Sequence, residues 1–106
     1  MTFDLTGKVA VVTGGGRGLG RAIAAGLAHH GARLVLCGRS PATLEQAASD
    51  IGGDILVHPA DVSLEADMIA LREAALARFG RIDVLVNNAG VNPIYKTIEK
   101  TSFAEW

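Results

Sequence analysis

The stretch "TGGGRGLG" at residues 13–20 offers more chemistry than any other part of this sequence. A turn built from residues without side chains lets backbone N–H groups approach a phosphate, and a helix N-terminus following it favours negative charge. The pattern is T-G-x-x-x-G-x-G, through Thr13, Gly14, Gly18 and Gly20. It fits neither G-x-G-x-x-G in any register nor the P-loop, which needs Gly-Lys-Ser/Thr. The same composition also serves tight strand-to-helix packing, so phosphate cradle and packing turn stand as two readings of these residues. Other reactive side chains are sparse. The single cysteine, Cys37, follows an apolar run and reads as a buried or half-buried thiol, and it excludes an internal disulfide framework. His29 and His30 close a helical stretch, where positive charge is mildly favourable. His58 stands alone, and no His, Cys or carboxylate spacing suggests a structural zinc site.

The elements that must position the glycine turn follow from two alternating periods. Apolar runs recur as "VAVVT" (9–13), "LVLC" (34–37), "ILVHP" (55–59) and "VLVN" (84–87). Apolar residues on consecutive positions suit strands covered on both faces. Helical spacing fills the intervals. The first helix runs from about Gly18 to His30 and stops before Gly31. The second begins at "SPATLEQAA", with Ser40 as cap and Pro41 at the first helical position, and ends near Gly52-Gly53. The third follows "DVS", with Ser63 as cap, and runs to Phe79 before Gly80. The charges of "SLEADMIALREAALARFGR" read as the solvated face of that helix and carry no evident chemistry. "GVNPIYK" (90–96) reads as a loop punctuated by Gly90 and Pro93. The closing "TSFAEW" has the S-x-x-E spacing of a capping box, Ser102 to Glu105, and reads as the start of a further helix.

The resulting order, β-α-β-α-β-α-β plus the start of the next helix, is that of an α/β chain with a parallel sheet and right-handed crossovers. At 106 residues it is one domain at most. Hydrophobic residues make up 49 % and the mean hydropathy is +0.30, so the core is large for the length. The net charge of -1 and the few aromatics point away from nucleic acid, and no apolar run is long enough to span a membrane. The N-terminus "MTFDLTGKVAVV" has neither a basic region nor a cleavage site. Together these features suit a cytoplasmic protein.

The glycine spacing resembles that of the short-chain dehydrogenase/reductase family. A second motif of that family, N-N-A-G, stands as Asn87, Asn88, Ala89 and Gly90 at the end of the fourth strand, and a third, weaker one as Asp61-Val62 after the third. The resemblance runs from "LTGKVAVVTG" to "FAEW" and covers the first half of the family pattern. It implies a Rossmann-like doubly wound parallel sheet, truncated, with residues 1–106 forming a partial dinucleotide-binding domain that lacks the catalytic half. It also implies that Gly14, Gly18 and Gly20 cradle the cofactor pyrophosphate, with Gly15, Gly16, Arg17 and Leu19 lining the same loop. Asp61 would accept from the adenine amino group and Val62 would offer backbone contacts to the ring; alternatively Asp61 only leads into the helix. Asn88, Ala89 and Gly90 would sit beside the nicotinamide ribose, while Asn87 would knit neighbouring strands.

A carboxylate at the end of the second strand accepts from the ribose 2′-OH and repels a 2′-phosphate. Here that strand ends "LCGRS", with Gly38 where NAD-preferring members carry Asp. Arg39 and Arg17 would suit a dianionic phosphate, which favours NADP(H) over NAD(H). Arg39 stacked on adenine, or simply solvated, is the other reading.

The family's chemistry is hydride transfer between nicotinamide and a small carbonyl or alcohol substrate, with a Ser, a Y-x-x-x-K pair and a supporting Asn as proton relay. The one tyrosine, Tyr95, has Glu99 at the lysine position, and Lys96 and Lys100 miss the spacing. None of the catalytic set is present, so the chain alone is expected to be inactive. In the strand order 3-2-1-4 the fourth strand would be an exposed apolar edge, inviting another chain, and a homo-oligomer is expected. A non-catalytic dinucleotide-binding module, or a piece that completes its sheet with another chain, is the alternative.

Overall fold

Each apolar run becomes a strand because only a sheet covered on both faces removes consecutive apolar residues from water. The computed structural model describes residues 4–88 and the strand 94–97. Val9–Thr13 (β1), Arg33–Gly38 (β2), Ile55–Pro59 (β3) and Val84–Asn87 (β4) are parallel and lie in the order β3-β2-β1-β4. Gly18–His29 (α1), Pro41–Ile51 (α2) and Glu65–Phe79 (α3) connect them. Alternation along β1 divides the core. Val9 and Val11 face Leu71, Ala75 and Phe79 of α3, with Val35 and Cys37 of β2. Ala10 and Val12 face Ala24 of α1 and Leu44 and Ala47 of α2. All five residues of β1 are buried, which makes it the central strand.

Two of the three expected caps differ from one another in outcome. Ser40 caps α2: its Oγ accepts from the Thr43 N–H at 3.4 Å, and Pro41 opens the helix. Ser63 does not cap α3, whose N-cap is Leu64 with no side-chain bond. The Ser63 N–H and hydroxyl donate instead to Asp61 Oδ1, at 2.9 and 2.7 Å. A local side-chain turn has outcompeted the cap. At the other end of α3, Gly80 takes the left-handed conformation (φ 78°) and donates its N–H to the Leu76 carbonyl.

Of the loop expected over 90–96, residues 90–93 lie outside the described residues and residues 94–96 are strand instead. Ile94–Thr97 (β5) pairs antiparallel with β4. Ile94, Tyr95 and Thr97 are strand-favouring types, and the unpaired edge of β4 gives them a row of partners. β4 is therefore not the exposed edge the sequence suggested. The expected helix start in "TSFAEW" lies outside the described residues. Among those described, no helix is long and apolar enough to cross a membrane.

At the N-terminal end of the sheet, Asp83 joins β4 to β1. Its N–H donates to the Val9 carbonyl and its Oδ2 accepts from the Val9 N–H, both at 2.8 Å. Burial of Asp83 raises its pKa, but the Arg81 guanidinium, the Val9 N–H and the charge of Lys8 outweigh this and hold it below the ordinary 3.8. Asp83→Ala leaves the fully buried Val9 N–H without its acceptor, so denaturant unfolding should show a loss of about 1–3 kcal/mol. The sign of the pH dependence follows from the lowered pKa. The wild-type contribution is complete above the ordinary value and disappears as the pH falls through the lowered one. The difference between wild type and variant should narrow in acid and hold steady from pH 5 to 8.

Candidate functional site

β1 sends the chain one way across the sheet, to β2 and β3, and α3 returns it to β4 on the other side of β1. Strand ends that diverge in this way leave a crevice at their carboxyl ends. The glycine turn lies there. Gly14 leaves β1 at φ 66°, and its N–H and that of Gly15 donate to the Cys37 carbonyl at 2.8 and 3.3 Å. Those two donors are committed to β2. Gly18 opens α1, whose N-cap, Arg17, gives no side-chain cap, and whose first turn holds no acidic residue. The first helical bond is from the Arg21 N–H to the Arg17 carbonyl. The N–H groups of Gly18, Leu19 and Gly20 therefore have no acceptor within the helix, and no carboxylate offsets the positive helix end.

The helix start is held tightly against the turn. A Cβ on Gly20 would lie 2.1 Å from the Gly14 carbonyl oxygen and 2.7 Å from Asn88 Nδ2. A Cβ on Gly16 would meet the Thr43 side chain at 2.8 Å. Thr13, at the end of β1, is the one buried polar residue among those described. Its hydroxyl accepts from the Asn88 N–H at 2.9 Å and lies within donating distance, 3.1 Å, of Asn87 Oδ1. Asn87 thus connects β4 to β1, the strand-knitting role expected of it.

Two hollows run along the strand ends and share Gly14, Gly38 and Arg39. One, of about 440 Å³, adds Gly16, Arg17, Ser40, Thr43, Leu44 and Asn88. The other, of about 460 Å³, adds Ala60, Asp61, Val62 and Ser63. Among the described residues neither Arg17 nor Arg39 takes part in an ion pair. Hydrogen bonds from the Ser63 hydroxyl and N–H, with a contribution from the Arg39 charge, hold the Asp61 carboxyl below its ordinary pKa of 3.8. Cys37 lies beneath, fully buried, and burial followed by the Asp67 charge pushes its thiol up to about 11. It is an inert thiol at neutral pH.

Of the sequence-predicted residues, Gly14, Gly16, Arg17, Arg39, Asp61, Val62 and Asn88 line the two hollows, whereas Gly15, Gly18, Leu19 and Gly20 belong to the same turn and helix start but line neither, Gly15 facing Leu36 and Leu19 being largely exposed. Ala89 and Gly90 lie outside the described residues. Thr13 stands in the glycine motif, but its role as a hydroxyl bridge needs the β1–β4 pairing, which is 74 residues distant in sequence. Asp67 has a role the sequence reading missed, for its Oδ2 accepts from the Asp61 N–H at 2.8 Å. Its place in the first turn of α3 is visible in the sequence, but the backbone N–H that it meets is not. The rim suits a dinucleotide: uncapped N–H groups and unpaired guanidiniums for phosphates, a hollow at one end, and no opposing charge at the helix start.

The family model for short chain dehydrogenase matches residues 8–106. L-Fucose dehydrogenase of Mus musculus is 40 % identical over 97 residues, which is 92 % of this chain and 35 % of that protein. The 3-ketoacyl-(acyl-carrier-protein) reductase of Brucella melitensis, solved with NADH, superposes with a TM-score of 0.79 at 43 % identity, over 96 % of this chain and 42 % of that one. The Pseudomonas aeruginosa RhlG/NADP complex gives a TM-score of 0.78 at 42 % identity, over 85 % of this chain and 37 % of that one. The chain spans 35 to 42 % of the lengths of these proteins.

Two glycines of α1 should respond oppositely to alanine. Gly26 has open space around its Cβ position and ordinary φ, so Gly26→Ala should stabilise by about 0.5–1 kcal/mol. Gly20→Ala forces α1 off the turn and should destabilise by about 1–3 kcal/mol. Equilibrium unfolding of both variants checks the pair; equal effects would mean the helix start is not tightly seated.

Proposed function

This chain belongs to the short chain dehydrogenase family, and we propose that it forms the cofactor-binding part of an NADP(H)-dependent oxidoreductase acting on a small carbonyl or alcohol substrate. The observation that carries the cofactor preference is the end of β2. It closes on Gly38, with Arg39 next in the chain and no carboxylate at the position that would repel a 2′-phosphate. Arg39 and Arg17 line one hollow without ion-pair partners among the described residues, beside the capped start of α2. A dianionic phosphate there gains charge-assisted hydrogen bonds from both.

The remaining roles follow the rim. The N–H groups at the start of α1 receive the pyrophosphate, and the glycines keep side chains out of its way. Asp61 accepts from the adenine amino group through Oδ2, since Ser63 occupies Oδ1. Val62 borders the ring, and Asn88, with Ala89 and Gly90, borders the nicotinamide ribose. The nicotinamide, when bound, supplies or takes up the hydride. The residues of this chain bind and orient it. Tyr95 lacks a lysine four residues on, so the proton relay is assigned to residues outside these 106, and the chain by itself should bind cofactor without turnover.

Fluorescence titration with NADPH and NADH tests this reading. NADPH should bind at least about tenfold more tightly. Arg39→Ala should weaken NADPH by about 10–100-fold, the worth of a hydrogen bond to a charged group, and change NADH by less than about threefold. Equal affinities in the wild type would overturn the NADP(H) preference, and binding of neither would overturn the dinucleotide reading.

A further inference from the structure

We propose that Asp67, on the first turn of α3, is a positioning residue for adenine recognition: it fixes the Asp61 main chain so that one carboxylate oxygen of Asp61 points into the hollow. The inference rests on the cofactor reading above and adds to it a residue that lines neither hollow and acts only through Asp61.

The geometry is a fully committed residue with one atom left over. The Asp61 N–H donates to Asp67 Oδ2 at 2.8 Å. The Asp61 carbonyl accepts from the Leu64 N–H at 3.0 Å. Asp61 Oδ1 accepts from both the N–H and the hydroxyl of Ser63. Immediately before it, the Ala60 N–H donates to the Gly38 carbonyl at 2.8 Å, which attaches this segment to the end of β2. Main chain and side chain of Asp61 are thus held on three atoms, and Oδ2 is the one polar atom of the residue with no hydrogen bond among the described residues. An acceptor held in this way needs no reordering when a donor arrives, which lowers the cost of binding.

Asp67 can do this because of where it sits. It is half-buried on a helix that packs against the core through Leu71, Ala75 and Phe79, so its carboxylate moves with the rigid part of the fold. Its negative charge also favours the helix start. A purely structural role would act through that charge and through stability, whereas positioning acts through the accepted hydrogen bond. Asp67→Asn separates the two, since it keeps an acceptor oxygen and removes the charge.

The test compares NADPH with its deamino analogue, in which the adenine amino group is replaced by a carbonyl oxygen, and reads the ratio of the two dissociation constants. Wild type should prefer NADPH by about tenfold, the worth of one charge-assisted hydrogen bond. Asp67→Ala should bring the ratio to within about threefold of unity, while Asp67→Asn should retain most of it. General destabilisation would weaken both ligands equally and leave the ratio unchanged, which would overturn the proposal if seen for Asp67→Ala. Should Asp67→Ala fail to fold, Asp67→Leu provides the second reading: it keeps side-chain volume and removes the acceptor of the Asp61 N–H, and a ratio that stays at the wild-type value would equally overturn it. A wild type that binds neither nucleotide defeats the cofactor reading itself. A wild type that binds both alike removes the amino contact and the positioning role with it.

Discussion

No side-chain atom fits between the first turn of α1 and the carbonyl oxygen of Gly14, and much of the rim follows from that. With glycine at position 20 the helix start lies directly over the end of β1 and against the Asn88 side chain. The unsatisfied N–H groups of the first helical turn are thereby delivered to the crevice between β1 and β4. A helix set back by even one methyl group would carry the same dipole, but at a distance where solvent screens it, since the effect falls off within the first turn. The committed N–H groups of Gly14 and Gly15 have the complementary task. They bind the turn to the Cys37 carbonyl at the end of β2, so the turn is fixed from one side and the helix from the other.

That arrangement needs β1 and β4 to stay in register, and two side chains join them at opposite ends. Asp83 exchanges hydrogen bonds with Val9 at the start of the strands, and Thr13 with Asn87 and Asn88 at the finish. Each bond spans more than 70 residues of sequence. Individually each contributes only about 1 kcal/mol net. Removing one partner costs more than its presence gains, because the β1 groups are buried and have nowhere else to turn. The apolar packing on both faces supplies most of the stability; these polar ties select the register among alternatives that would bury similar area.

The periodic elements were legible because their causes are local. The spans of β1, β3 and β4 follow from apolar runs bounded by turn residues, and α2 from a serine cap and a proline at its first position. The errors share a different cause. Ser63 has the right type and place for a cap, yet Asp61 two residues earlier offers its hydroxyl a closer acceptor. Asp67 looks like one more charge on a solvated helix face, because sequence spacing does not reveal which backbone N–H a carboxylate will meet. Most of Ile94–Thr97 falls within a stretch that reads as loop, because its pairing depends on β4 offering an unpaired edge. Each miss is a question of which partner wins, and that is decided by the assembled sheet.

The acidic residue of the rim shows how placement resolves an apparent conflict of charge. A site for a 2′-phosphate should exclude carboxylates, yet Asp61 lines the hollow that Arg39 also lines. On β2 a carboxylate would stand at the ribose itself. On the segment after β3 the Asp61 carboxyl is held below its ordinary pKa by the Ser63 hydrogen bonds, with the Arg39 charge contributing. Both Ser63 donors fall on the same oxygen, Oδ1, and leave Oδ2 without a hydrogen bond among the described residues. Under the proposed NADP(H) reading, a carboxylate in that setting would repel the phosphate weakly and would still accept a hydrogen bond. In the proposed reading, binding an anion and recognising an amino donor are kept apart by placing Arg39 after β2 and Asp61 after β3, on neighbouring strands roughly 5 Å apart.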